Sequence, residues 1–218
     1  LTSPKATARV LKFMLQKNLR SAVVDELTIG AQKLSFSELL SFSDVKVMIT
    51  VSGQQYQFHA PELQVENAGE VLLKPGELHI YGKNVSLDNA GLHIPSAEIN
   101  AKVLVRTKKK NILDGTLTIP AMEAYRYKLQ KLSTSFEGGS YGISFTNFRT
   151  DFYNGQIIGK IDVNWRDGLH YRTNLQFEGI DISALREVDD SIYKQIEGVV
   201  QGTVVIGGSV HSFDTLRL

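Results

Sequence analysis

The residues of this chain best suited to acid–base or metal chemistry are its five histidines, His59, His79, His93, His170 and His211. A metal site needs two or three such side chains at spacings that bring them to one point. No pair here has that spacing, and with no cysteine in the chain a thiolate site and a disulfide are both excluded. Histidines that alternate with apolar strand residues read as surface positions. The sequence also has no P-loop, no GxGxxG and no nucleophile elbow. Gly138–Gly139, in EGGSYG, is a candidate phosphate cradle, but no helix follows to present its N-terminus, and a hairpin turn is the simpler reading. The expectation is no catalytic residue, no metal and no cofactor.

Two other features carry chemistry. Lys108, Lys109 and Lys110, preceded by Lys102 and Arg106, form a basic run. It reads as a solvated hairpin tip, or in the sharper alternative as a contact for anionic lipid headgroups. Trp165, the one tryptophan, ends a strand beside Asp167–Gly168 and reads as a partly buried anchor at a hairpin. The formal net charge of +1 gives no support for nucleic acid as a partner.

The elements that must position these groups are mostly strands. With 218 residues, 42% hydrophobic and 22% charged, the chain is globular and long enough for one large β domain or two small ones. We take it as a single β-rich domain over 1–218. It opens on Leu1 with no signal-peptide pattern, and no apolar stretch approaches the ~20 residues that span a bilayer. The expectation is a piece of a longer protein, with any membrane anchor or targeting signal outside it.

A helix is expected from about Lys5 to Leu19. Lys5, Arg9, Lys12, Gln16 and Arg20 share a narrow sector, and Val10, Leu11, Phe13, Met14, Leu15 and Leu19 spread over the rest. Such a helix docks on β structure or, alternatively, lies on an anionic membrane. A second helix is expected from about Ala184 to Gln195, capped by Ser183 and ended by Gly198, with Leu185, Val188, Ile192 and Ile196 at helical spacing. Asp189 and Asp190 fall on its solvated flank.

Between the helices the period is two. Val45, Val47, Ile49 and Val51 alternate with Lys46, Met48 and Thr50. Short runs follow at Tyr56 and Phe58, Leu63 and Val65, Leu78 and Ile80, Val85 and Leu87, and Leu92 and Ile94, then a long one from Ala97 to Val105. Ile157, Gly159, Ile161, Val163 and Trp165 oppose Gln156, Lys160, Asp162 and Asn164, while Tyr171, Thr173, Leu175 and Phe177 oppose His170, Arg172, Asn174, Gln176 and Glu178. This alternation predicts antiparallel sheet with one solvated face, on which Ile157, Ile161, Val163, Leu175 and Phe177 share the apolar side. The aromatic phase slips by one residue between Phe145 and Phe148, which predicts a bulge or turn near Thr146–Asn147.

About 12 strands of about 7 residues present one face of roughly 1,300 Å². Two such helices cover only about 400 Å² of it. A helix-covered α/β fold is therefore excluded. The face closes as a sandwich or barrel, or stays open as a trough.

From Phe152 to Gly208 the chain resembles the AsmA-like family, the AsmA/TamB-type bridge-like lipid-transfer proteins of the Gram-negative envelope. The resemblance rests on Tyr153, Gly155, Gly159 and the strand Lys160 to Trp165. It continues through the turn at Ile180, Asp181, Ile182 and Leu185, and ends on Gly198, Gly202 and Gly207–Gly208. What it implies is an elongated, curved, mainly β sheet, an open trough or sandwich-like, with two short amphipathic helices. It further implies a periplasmic place, inner-membrane anchoring through a segment not present here, and lipid transport or outer membrane biogenesis. Ile157, Ile161, Val163, Leu175 and Phe177 would line the lipid-binding groove, with phospholipid or another acyl lipid and envelope proteins as partners. Gly155, Gly159, Gly198 and Gly202 would be structural glycines that permit bending and close backbone approach. The competing reading is a structural or protein-binding β domain with a dry core and no lipid ligand, whose sheet edges recruit partners. An enzyme lacks any converging acid, base or nucleophile.

Overall fold

The structure is a computed structural model that describes residues 3–18, 22–34, 39–51, 53–67, 76–105, 112–139, 141–166, 169–188 and 196–210. The basic run at 106–110, His211, Asp167–Gly168 and the expected helical residues 189–195 lie outside the described residues. Helix α1 (Pro4–Asn18) precedes β1 (Ala22–Leu34), β2 (Leu40–Val51), β3 (Gln54–Glu66), β4 (Gly76–Asn89) and β5 (Leu92–Val105). There follow β6 (Ile112–Ala124), β7 (Tyr127–Gly139), β8 (Gly142–Phe152), β9 (Gly155–Asn164), β10 (Leu169–Asp181), a 3-10 helix (Ile182–Glu187) and β11 (Val199–Val210). The fold is mainly β: among the described residues eleven antiparallel strands follow one another in the sheet in the order of the chain. Two compact units divide it, Leu1–Leu113 and Asp114–Leu218.

The strands run 10 to 14 residues, longer than the short apolar runs of the sequence predict. In the first unit the reason is a row of special residues across the sheet. Gly30 of β1, Asp44 of β2, Pro61 of β3 and Asn84 of β4 stand opposite one another in register. Asp44 and Asn84 have φ of 51° and 52°, in the left-handed region that short polar side chains tolerate best. Proline contributes no N–H to the ladder. A Cβ on Gly30 would stand 2.9 Å from that of Asp44. At this row each strand slips its alternation by one residue, and the register survives because the strands slip together. Leu40 still faces Val65, Phe42 faces Leu63, Val45 faces Ala60 and Val47 faces Phe58. The runs Tyr56–Phe58 and Leu63–Val65 are thus one strand, as are Leu78–Ile80 and Val85–Leu87.

Helix α1 begins at Ser3, whose carbonyl accepts the Thr7 N–H at 3.0 Å, with Pro4 at the first helical position. It docks on the sheet: Ala8 is buried with Ile29 and Phe42, and Leu11, Leu27, Leu40, Val45, Leu63 and Val65 surround them. Its apolar contact is narrower than the sequence predicts. Val10 and Phe13 are 58% and 69% exposed, because the helix lies along β1 and only one side of it meets the sheet.

In the second unit the bulge expected near Thr146–Asn147 is present. The β8–β9 register shifts between Phe145 and Phe148, and Asn147 has φ 53°. EGGSYG forms a hairpin, with Gly139 paired to Gly142. Tyr153 and Asn154, both at positive φ, make a two-residue turn from Phe152 to Gly155, a geometry that matches strand twist. Of the second expected helix only the first residues are described, and they belong to a 3-10 helix, Ile182–Glu187, whose cap is Asp181, not Ser183. The Asp181 carboxylate accepts the Ser183 N–H at 2.9 Å and the Ser183 hydroxyl at 2.6 Å, so Ser183 donates where it was expected to accept.

Candidate functional site: the apolar face of β8 to β11

Neighbouring strands in register place opposed side chains on the same face. Ile157 of β9 faces Phe177 of β10, Ile161 faces Thr173, Val163 faces Tyr171, and Gly159 faces Leu175. The five expected residues Ile157, Ile161, Val163, Leu175 and Phe177 therefore share one surface. Strand β8 adds Ile143, Phe145 and Phe148, opposite Val163, Ile161 and Gly159. Strand β11 adds Val204 and Ile206, opposite Leu175 and Thr173. Sequence reasoning missed these additions. Their signal was the aromatic phase slip, which puts Phe145 and Phe148 on one side once Asn147 is read as a bulge.

Burial grades along this surface. Ile157 is 7% exposed and lies beside Thr150, which is fully buried and donates its hydroxyl to the Gln130 carbonyl at 2.9 Å. Ile161, Val163, Leu175 and Phe177 are half-buried, and Val204 and Ile206 are 40% and 44% exposed. The face is thus dry at the Ile157 end and open toward β11.

Glycine shapes it. A Cβ on Gly159 would stand 2.0 Å from the Asn174 carbonyl oxygen and 3.0 Å from the Leu175 Cα, so β9 and β10 approach there as only glycine allows. In register the missing side chain lies between Phe148 and Leu175, leaving a notch in the face. Gly155 is packed as tightly, 2.4 Å from the Glu178 carbonyl oxygen by the same measure. Gly198 has φ 136°, and its carbonyl accepts the Ile182 N–H at 3.0 Å. Gly202 has open space around it and no positive φ.

Charge is kept to the other face. Lys160 pairs with Asp162 at 3.0 Å and Lys131 with Asp151 at 2.9 Å. The Arg149 guanidinium donates to the Gln156 side-chain carbonyl at 2.7 Å. The Ser144 hydroxyl, donating at 2.6 Å, holds the Asp162 carboxyl below its usual range, with Lys160 adding to the effect. Lys131 does the same for Asp151, with Gln156 and Arg149 assisting. A polar cleft of about 400 Å³ beside Lys128, Asp151, Asn154 and Glu187 belongs to this charged surface and offers an alkyl chain little.

The histidines are dispersed. His59 contacts Asp44 at 2.9 Å, His79 lies 3.6 Å from Glu77, His93 contacts Asp88, and His170 sits opposite Asn164. Among the described residues no three His, Cys, Asp or Glu side chains gather as a metal site would require. Trp165 is 44% exposed, and its backbone N–H donates to the Tyr141 carbonyl at 2.9 Å. No described helix is long and apolar enough to cross a membrane. What the β8–β11 surface can do chemically is remove apolar area from water. The chain matches no protein-family model, no curated protein and no solved structure.

Proposed function

We propose that this chain is a non-enzymatic lipid-handling or outer-membrane-assembly module of the AsmA-like type, acting in the periplasm and binding acyl chains on the apolar face of β8 to β11. The observation that carries the reading is segregation. Ile161, Val163, Leu175 and Phe177 lie half-open on a surface whose rows carry no charge, with Lys160, Asp162, Arg172 and Glu178 turned to the other side. An acyl chain gains about 0.8 kcal/mol per methylene removed from water, enough for useful binding after immobilisation is offset. The buried end at Ile157 and Thr150 favours the second reading, a structural or protein-binding β domain with a dry core.

Mass spectrometry of an organic extract separates the two. Protein purified from Gram-negative cells without detergent should carry acyl lipid well above the level in an unrelated protein prepared alongside. An extract indistinguishable from that control contradicts the lipid reading and leaves the dry-core one.

A further inference from the structure

The apolar face of β8 to β11 differs between its two ends. At one end Ile157 is buried between Thr150 and Phe177, and the Thr150 hydroxyl is already bonded to the Gln130 carbonyl. At the other end the side chains are apolar bodies with polar tips. Tyr171 faces Val163 on β9 and Gly208 on β11. Its side chain lies across Gly208, where a Cβ would stand 3.2 Å from the phenol oxygen and 3.3 Å from a ring carbon. Glycine at 208 thus makes the room in which the tyrosine lies. One row further along, the Trp165 N–H donates to the Tyr141 carbonyl, and the two residues are 44% and 43% exposed. The Arg166 guanidinium stands 5.5 Å from the centre of the Tyr141 ring. Rings with a polar tip collect where hydrocarbon meets water.

The hydroxyls of the face differ in the same sense. Thr173 donates to the Ile206 carbonyl at 3.4 Å, as Thr150 does to Gln130. The Tyr171 hydroxyl has no hydrogen-bond partner among the described residues. From Tyr171 to Phe177 strand β10 rises ~20 Å, at ~3.4 Å per residue. The hydrocarbon of one membrane leaflet is ~15 Å thick, so a membrane acyl chain fits along the strand between these two rings.

We propose that an acyl lipid on this face lies along β9 and β10 in one direction, its head at Tyr171 and its methyl end at Ile157, with the Tyr171 hydroxyl setting that direction. The inference rests on the lipid reading above and adds to it a direction and a positioning residue. An anionic oxygen of the head accepts a hydrogen bond from Tyr171, and Arg166 adds positive charge to the same end. The reversed lipid would press its head against Ile157 and Thr150, 7% and 0% exposed, where it would lose hydration without gaining a partner.

Trp165 is the one tryptophan of the chain, so its fluorescence reports this end alone. The probe is stearate carrying a nitroxide either near its carboxylate or near its methyl end. The electron-spin spectrum shows whether each form is bound, and quenching of Trp165 shows which end of it lies close. Both forms should be immobilised, and the label near the carboxylate should quench several times more strongly. Tyr171→Phe removes a hydroxyl that bonds no described residue, so the melting midpoint should stay at the parent's value. The same variant should weaken stearate binding roughly 3- to 10-fold, as loss of one hydrogen bond does, and bring the two labels toward equal quenching. Bound probes with equal or reversed quenching in the parent, or a Tyr171→Phe variant that keeps the parent's ratio, would overturn the proposal and leave the lipid reading standing. Probes that tumble freely beside the protein would overturn the lipid reading and the direction with it.

Discussion

Replacing Gly159 with alanine should destabilise the protein by about 3–5 kcal/mol, the largest effect expected of any single methyl group in the second unit. The added carbon would sit 2.0 Å from a backbone oxygen of Asn174, more than ~1 Å inside ordinary C···O contact. Neither partner can yield by rotating a side chain, because both are backbone held by the β9–β10 ladder. The strands must therefore separate, and the facing pairs Ile157–Phe177 and Ile161–Thr173 loosen with them. Thermal unfolding by circular dichroism should show a midpoint lower by roughly 10 °C or more for a chain of this size. Gly202→Ala is the matched control and should change the midpoint little, since its Cβ meets nothing within 4 Å. Equal effects from the two substitutions would contradict the close approach of β9 and β10.

Ile161→Asp and Phe177→Asp should each weaken acyl-chain binding by about 10- to 100-fold while leaving the protein folded. A carboxylate on this surface loses hydration when an alkyl chain covers it, at a cost of a few kcal/mol. In the free protein the same carboxylate keeps contact with water, because both positions are only half-buried. Ile157→Asp makes the contrast: at 7% exposure the charge has nowhere to go, and the expected result is unfolding. Fluorescence titration with an acyl-chain probe, run beside the thermal melts, separates these outcomes. If Ile161→Asp and Phe177→Asp unfold the protein as Ile157→Asp does, the whole surface is core and the lipid reading fails.

How much of this was legible in the sequence depends on whether alternation keeps its phase. In β9 and β10 it does, from Ile157 to Val163 and from Tyr171 to Phe177, and the shared face followed directly. Across the first unit it does not. Asp44 and Asn84 take left-handed backbone without being glycine, so nothing in a period-two reading marks them as interior strand residues. Long strands then looked like pairs of short ones. Lys131, with φ 49° inside β7, is harder still, since a long cationic side chain gives no hint of that conformation. At the 3-10 helix two capping residues competed. Asp181 won because its carboxylate satisfies both the N–H and the hydroxyl of Ser183 at once. The close approaches at Gly155 and Gly159 were legible only as glycines in strands; which of the four glycines were sterically required depends on partners 20 or so residues away, such as Glu178 for Gly155.

Site-specific photocrosslinking at adjacent positions of β9 and β10 tests the central claim most directly. A photoreactive residue at Ile161 or Leu175 faces the apolar surface, and one at Lys160 or Gln176, the next position in each strand, faces the charged one. Irradiation in Gram-negative cells, followed by mass spectrometry of the purified chain, should give lipid adducts at 161 and 175 and none at 160 and 176. Equal labelling at all four positions, or no lipid adduct at any, would contradict an acyl-chain surface on β8 to β11.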